Sequence, residues 1–195
     1  NIDDLAEKLY NSPKLLEQVT AFIKFADMGV VGIKVLKNEP QNTNKYRILF
    51  EHQGKDGKIY DMSMDDESAG TSQFTKYLIT FIPSLLEGGI FVVDELEENL
   101  HTMMLAKLVE MFNVPSINKG RAQLIFTTHD TSILKSDILK RDEIWFVEKN
   151  EEGCSEVYPL TEFKSIREGF NYEKGYLEGR FGAIPYLGDI KELEA

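Results

Sequence analysis

Asp94 and Glu95 directly follow the apolar run Ile90-Phe91-Val92-Val93, and His129 follows Leu124-Ile125-Phe126-Thr127-Thr128. Both runs have the length and residue types of buried strands. Each would deliver polar side chains at its C-terminal tip, the edge of an open α/β sheet where ligands bind. A carboxylate emerging from a buried strand can hold a hard cation. Mg²⁺ shared with a nucleotide takes only one or two carboxylates, the rest of its shell being phosphate oxygen and water. Asp94 then suits the metal, and the adjacent Glu95 suits a general base that polarises the attacking water. His129 would contact a nucleotide γ-phosphate. The bland alternatives are that Asp94-Glu95 caps a helix and that His129 is a satisfied structural group. The pairing of the two strand tips favours chemistry.

A third group is Glu67-Ser68-Ala69-Gly70-Thr71-Ser72-Gln73, ahead of a helical pattern. Ser68 and Thr71 offer hydroxyls, Gly70 allows close backbone approach, and a helix N-terminus adds free N–H groups and a positive dipole end. Ordinary capping would look the same. Glu97, Glu98 and Asn99 read as first-turn acids and a cap, without a catalytic role. His101 reads as part of a helix face and His52 as part of a hairpin.

The elements that must position these groups follow from periodicity. Ser12-Pro13 opens a helix whose apolar face (Leu15, Leu16, Val19, Phe22, Ile23, Ala26) runs to Gly29. Val30 to Leu36 alternates as a strand, and Asn38 to Asn44, with Pro40, is a polar loop. Residues 46–50 and 59–62 flank Gln53 to Lys58, whose Gly and Asp residues suit a hairpin turn. Phe74, Tyr77, Leu78, Phe81, Ile82 and Leu85 mark a helix that kinks or ends near Pro83 and stops at Gly88-Gly89. A further helix over Asn99 to Phe112 connects the two chemistry-bearing strands, giving a parallel strand-helix-strand unit. Glu143 to Glu148 and Ser155 to Leu160 surround Asn150-Glu151-Glu152-Gly153 as a second hairpin. The stretch from Tyr172 to Leu187 has no clean period.

The chain has 195 residues, enough for one good core with a small helical appendage, and 42% of them are hydrophobic and 28% charged. A net charge of −11 argues against a surface that grips nucleic acid everywhere. The single cysteine, Cys154, cannot form an internal disulfide and fits a reducing cytoplasm. No apolar run approaches the roughly 20 residues that cross a bilayer. The start, Asn1-Ile2-Asp3-Asp4, has neither initiator Met nor leader, so a fragment of a longer chain is expected.

In order, Glu67-Ser68-Ala69-Gly70-Thr71, then Ile90 to Glu95, then Thr127-Thr128-His129-Asp130 resemble the C-terminal half of ABC-class ATPase heads of the structural-maintenance-of-chromosomes (SMC), RecF-like and overcoming-lysogenization-defect type. The stretches Glu95-Leu96-Glu97-Glu98-Asn99-Leu100-His101, Arg141 to Glu148 and Tyr172 to Pro185 look like bacterial AAA-type ATPases of abortive infection and phage defence. The resemblance covers Phe22 to the C-terminus. It implies an α/β fold, the C-terminal lobe of an ABC-type P-loop NTPase head, with a mainly parallel sheet flanked by helices and β-hairpins. Residues 1–45 would be the end of a helical insertion and a connecting strand, and 46–195 the lobe itself.

It further implies that Asp94 and Glu95 match Walker B, with Asp94 on Mg²⁺ and Glu95 catalytic. His129 matches the switch histidine, and Ser68, Ala69, Gly70 and Thr71 match the nucleotide-binding signature. ATP would be sandwiched in a head-to-tail homodimer, with Ser68 and Gly70 acting on the partner's nucleotide. The cycle would serve antiphage defence or DNA maintenance and repair in the cytoplasm, with a nuclease or toxin effector, or nucleic acid, as partner of the full-length protein. Two departures stand out. Glu67 and Ala69 replace the usual signature residues, and no G-x-x-x-x-G-K-[ST] loop occurs. The alternatives are a non-catalytic docking or regulatory module for a nuclease or toxin and, further off, a metal-dependent nuclease using Asp94, Glu95 and His129.

Overall fold

The computed structural model describes residues 1–26, 29–39, 44–135, 137–150, 152–164, 166 and 169–185. Residues 40–43 of the expected polar loop, Glu151 of the second hairpin turn and residues 186–187 of the tail lie outside the described set. The chain forms two compact units, Asn1–His129 and Asp130–Ala195.

The first unit begins with two helices, α1 (Ile2–Asn11) and α2 (Pro13–Ala26). The sequence pattern predicts a helix start only at Ser12-Pro13. The Ser12 hydroxyl does accept from the Leu15 N–H at 3.3 Å, but α1 precedes it, capped by the Asn1 side chain. Three antiparallel strands follow in the order β1 (Val30–Lys37), β2 (Tyr46–Gln53) and β3 (Ile59–Ser63). The position near residue 45 that was expected to divide the chain lies between β1 and β2, whose register pairs Lys37 with Tyr46.

The long helix α3 (Ala69–Glu87) passes through Pro83 without ending there and stops at Gly88, whose φ of 96° is readily adopted only by glycine. Phe74, Leu78, Ile79, Phe81, Ile82 and Leu85 are all buried on it, each fully buried side chain contributing about 1.5–3 kcal/mol. α3 leads into β4 (Ile90–Val93), then α4 (Thr102–Asn113) and β5 (Gln123–Phe126). β4 and β5 pair in parallel, Ile90 opposite Gln123 and Val93 opposite Phe126. The strand-helix-strand unit is therefore present. This pair is the parallel part of the α/β fold, and the other two sheets among the described residues are antiparallel.

One face of the parallel pair is packed. Phe91 meets Phe81 of α3 at 4.8 Å between ring centroids and Phe112 of α4 at 6.1 Å. The opposite face is bare, with Ile90 66%, Val92 78% and Ile125 58% exposed. Parallel sheets are normally covered on both faces.

α4 starts three residues later than expected. Its N-cap is His101, whose Nδ1 accepts from the Met103 N–H at 3.2 Å. His101 is thus an exposed cap rather than part of a packed face, and Glu97 to Asn99 form a turn before the helix rather than its first turn.

The second unit is a hairpin of β6 (Trp145–Lys149) and β7 (Ser155–Pro159), with α5 (Tyr172–Leu177). The Asn150 side chain accepts the N–H groups of Glu152 and Cys154 at 3.1 and 2.9 Å, closing the turn. Ile144, Phe146, Leu160 and Phe181 form its core, and Phe146 stacks on Tyr176 and Phe181 at 5.7 and 5.6 Å. The tail without period is therefore an aromatic cover containing one short helix.

Candidate functional site

Asp94, Glu95 and His129 come together at the tips of β4 and β5, and Thr127 of the β5 tip joins the first two. Its hydroxyl donates to Asp94 Oδ1 at 2.5 Å and accepts the Glu95 N–H at 2.9 Å. The backbone continues the parallel ladder past the strands, with the Thr127 N–H on the Val93 carbonyl and the Leu96 N–H on the Thr127 carbonyl, both at 3.1 Å. Leu96 is fully buried and pegs the loop, leaving Glu95 before it exposed. Glu95 has φ +50°, a left-handed conformation uncommon for a residue with a Cβ. The surrounding hydrogen bonds hold it there.

The Glu95 Oε1 lies 3.5 Å from His129 Nε2, with the two side chains 56% and 86% exposed. Both are open to a ligand. Glu97 reaches back from the turn, its Oε1 accepting the backbone N–H of His129 at 2.7 Å. Burial opposes ionisation of Glu97, but the His129 N–H, the Thr128 hydroxyl and the nearby His129 ring together hold its carboxyl below the usual glutamate range. Neither Thr127 nor Glu97 was identified as a functional residue from the sequence. The repeat Thr127-Thr128 beside a histidine and the acid two positions after Asp94-Glu95 were visible, but their partners lie across the strands.

Ser68, Ala69, Gly70 and Thr71 form the start of α3. Ser68 is the N-cap, its Oγ accepting the Thr71 N–H at 3.0 Å and lying 2.9 Å from the Thr71 hydroxyl. Thr71 is buried, whereas Ser68 and Ala69 are exposed. Glu67 turns inward, its side chain only 6% exposed, against His52 of β2. The two groups of predicted residues adjoin through Gly70, where a Cβ would stand 3.2 Å from the Asn99 carbonyl of the turn that follows Asp94-Glu95. Any larger residue at 70 would press on that turn.

No set of three or more His, Cys, Asp or Glu among the described residues could enclose a metal ion. An Mg²⁺ shared with a nucleotide needs only one or two protein carboxylates and takes its other ligands from phosphate and water. Asp94, exposed and oriented by Thr127, fits this role. Among the described residues no helix is long and apolar enough to cross a membrane.

A structure from work on ATP-driven dimerisation and DNA-stimulated activation of SMC ATPases matches with TM-score 0.59 at 14% identity, covering 92% of this chain and 97% of that one. The SMC head bound to the C-terminal winged-helix domain of ScpA matches with TM-score 0.52 at 16% identity, covering 85% of this chain. The chain spans 51% of the length of that second structure. At these identities the likeness shows the fold, that of an SMC-type ATPase head. No curated protein matches the chain. A family model does match, over residues 4–135, a span that contains Ser68 to Thr71, Asp94, Glu95 and His129. The chain is an AAA/ABC ATPase-like domain and belongs to the family described as "AAA domain, putative AbiEii toxin, Type IV TA system".

Proposed function

We propose that this domain binds ATP with Mg²⁺ and hydrolyses it, as part of a composite site completed by a phosphate-binding loop outside residues 1–195. Asp94 would hold the ion, which when bound supplies charge neutralisation at the β and γ phosphates. Glu95 takes the proton of the attacking water, and His129 donates to the γ-phosphate. Ser68, Ala69 and Gly70 face the nucleotide of a second copy, which makes the active form a head-to-tail dimer, while Thr71, buried with its N–H and hydroxyl on Ser68 Oγ, holds that turn in shape.

The observation that carries this reading is the meeting of Asp94, Glu95 and His129 at two adjacent strand tips, with Asp94 and the Glu95 N–H bonded to Thr127 and His129 3.5 Å from Glu95. Neither carboxylate is paired with a Lys or Arg among the described residues, so both are available to a ligand. The bare face of Ile90, Val92 and Ile125 also supports a further layer of structure against β4 and β5. The cycle would act in antiphage defence or DNA maintenance in the cytoplasm, driving a nuclease or toxin effector or engaging nucleic acid.

The test is Glu95→Gln in the complete protein. Phosphate release should vanish while ATP-dependent dimers, followed by analytical ultracentrifugation, persist. Normal hydrolysis by that variant would overturn the assignment, and full biological function without hydrolysis would point instead to a docking or regulatory module.

A further inference from the structure

We propose that Glu97 is a positioning residue for His129, holding the tip of β5 in register with the loop after β4 so that the imidazole faces Glu95. The proposal rests on the ATPase reading above. Its starting point is the exposure of His129, whose side chain is 86% open and meets Glu95 Oε1 at 3.5 Å. Packing cannot aim a side chain that has so few neighbours. Only its backbone can be fixed, and Glu97 does so through a 2.7 Å bond to the His129 N–H.

The bond crosses between strands. Thr127 ties the same two loops in the other direction, its hydroxyl on Asp94 and on the Glu95 N–H. Thr127 and Glu97 therefore clamp Asp94, Glu95 and His129 from both sides, while Leu96, fully buried between Glu95 and Glu97, anchors the clamp. A carboxylate to backbone N–H bond is charge-assisted and short, which suits a positioning task.

Stability alone does not account for Glu97. Its Oε2 is buried without a hydrogen-bond partner among the described residues, a cost that an apolar residue at this position would avoid. Burial of the carboxylate disfavours its charge, yet its hydrogen bonds keep it ionised. A carboxylate kept ionised by bonds to the β5 tip while one of its oxygens stays buried and unpaired, two residues from the proposed base, is the arrangement expected of a site supported from behind.

The experiment is a double-mutant cycle in the complete protein, with Glu97→Ala and His129→Ala alone and together. Glu97→Ala should lower kcat roughly 10- to 100-fold, the range for loss of an orienting partner, with little change in KM for ATP. In the His129→Ala background it should have no further effect. Glu97→Gln, which keeps an acceptor oxygen, should recover part of the loss and covers the case in which the alanine variant folds poorly. Effects that multiply, or a rise in KM that follows a lowered melting temperature, would overturn the proposal.

A second readout does not depend on hydrolysis. The backbone amide of His129 should exchange slowly in the wild type and faster in Glu97→Ala by NMR, and unchanged exchange would also overturn it. If Glu95→Gln hydrolyses ATP normally, the ATPase reading fails by itself, while the exchange experiment still shows whether Glu97 holds His129.

Discussion

The N-terminus of α3 and the tips of β4 and β5 both end secondary structure in polar side chains, yet they satisfy those groups in opposite ways. At α3, Ser68 caps the Thr71 N–H and shares a hydrogen bond with the Thr71 hydroxyl, and Thr71 is buried. The turn completes itself. At the strand tips the backbone is held, but Asp94, Glu95 and His129 point largely into solvent. What differs is where the strain and exposure are placed, and functional sites concentrate both. The α3 end reads as a rigid surface to be offered to another molecule, the strand tips as a site prepared to receive one.

Substitutions can test that contrast, because a change at the strand tips should damage chemistry and a change at α3 should damage folding as well. The largest effect is expected from Asp94→Asn. Asn keeps an oxygen for the Thr127 hydroxyl but loses the charge that a Mg²⁺ needs. Hydrolysis by the complete protein should fall by a factor on the order of 10² or more, while stability stays within about 0.5 kcal/mol because the group is exposed. A melting curve shifted as strongly as the activity would erase the distinction.

Thr127→Val should come next. It removes the hydroxyl that serves both Asp94 and the Glu95 N–H while keeping the β-branched shape. The left-handed turn at Glu95 loses one of its restraints, and a loss of about tenfold in kcat is expected, the lower end for an orienting partner. Equal activity of Thr127→Val and wild type would mean that the loop holds Glu95 without help.

Ser68→Ala belongs to the other side of the contrast. Losing an N-cap costs about 1 kcal/mol, and at this domain size that lowers the melting temperature by roughly 2–4 °C. In the proposed dimer it should also weaken ATP-dependent association, read by sedimentation. A destabilised protein that still dimerises normally on ATP would assign Ser68 to capping alone.

The sequence carried these two regions to different depths. The helix start at Ser68, both hairpins and the parallel unit were legible because capping, Gly and Asp turns and apolar periodicity are local signals. Asp94, Glu95 and His129 were legible for the same reason, each following an apolar run. Thr127 and Glu97 were not, because their roles exist only once β4 and β5 pair and bring residues 32 or 33 positions apart into hydrogen-bond range. The late start of α4 was missed because a histidine cap lacks the usual Ser, Thr, Asp or Asn signature. The aromatic tail was opaque for another reason. Tyr176, on the six-residue α5, and Phe181, in the irregular chain beyond it, pack on Phe146, and so short a helix leaves no period to read.

The smallest effect distinguishes the two regions by pH. Glu97 has a carboxyl held below its ordinary value of 4.5, burial opposing and the His129 N–H and Thr128 hydroxyl favouring the charged form. A group whose folded pKa is depressed contributes stability that is fully present above its unfolded pKa and is lost as pH falls through the folded one. Stability measured by urea denaturation should therefore decline more steeply below about pH 4.5 in the wild type than in Glu97→Gln, which carries no titrating group at 97. Ser68→Ala should shift the whole curve down without altering that slope, since a serine cap does not titrate in this range. If Glu97→Gln retains the wild-type slope, Glu97 is not held in its charged form by the β5 tip. The strand tips would then be no more organised by ionised groups than the self-capped end of α3.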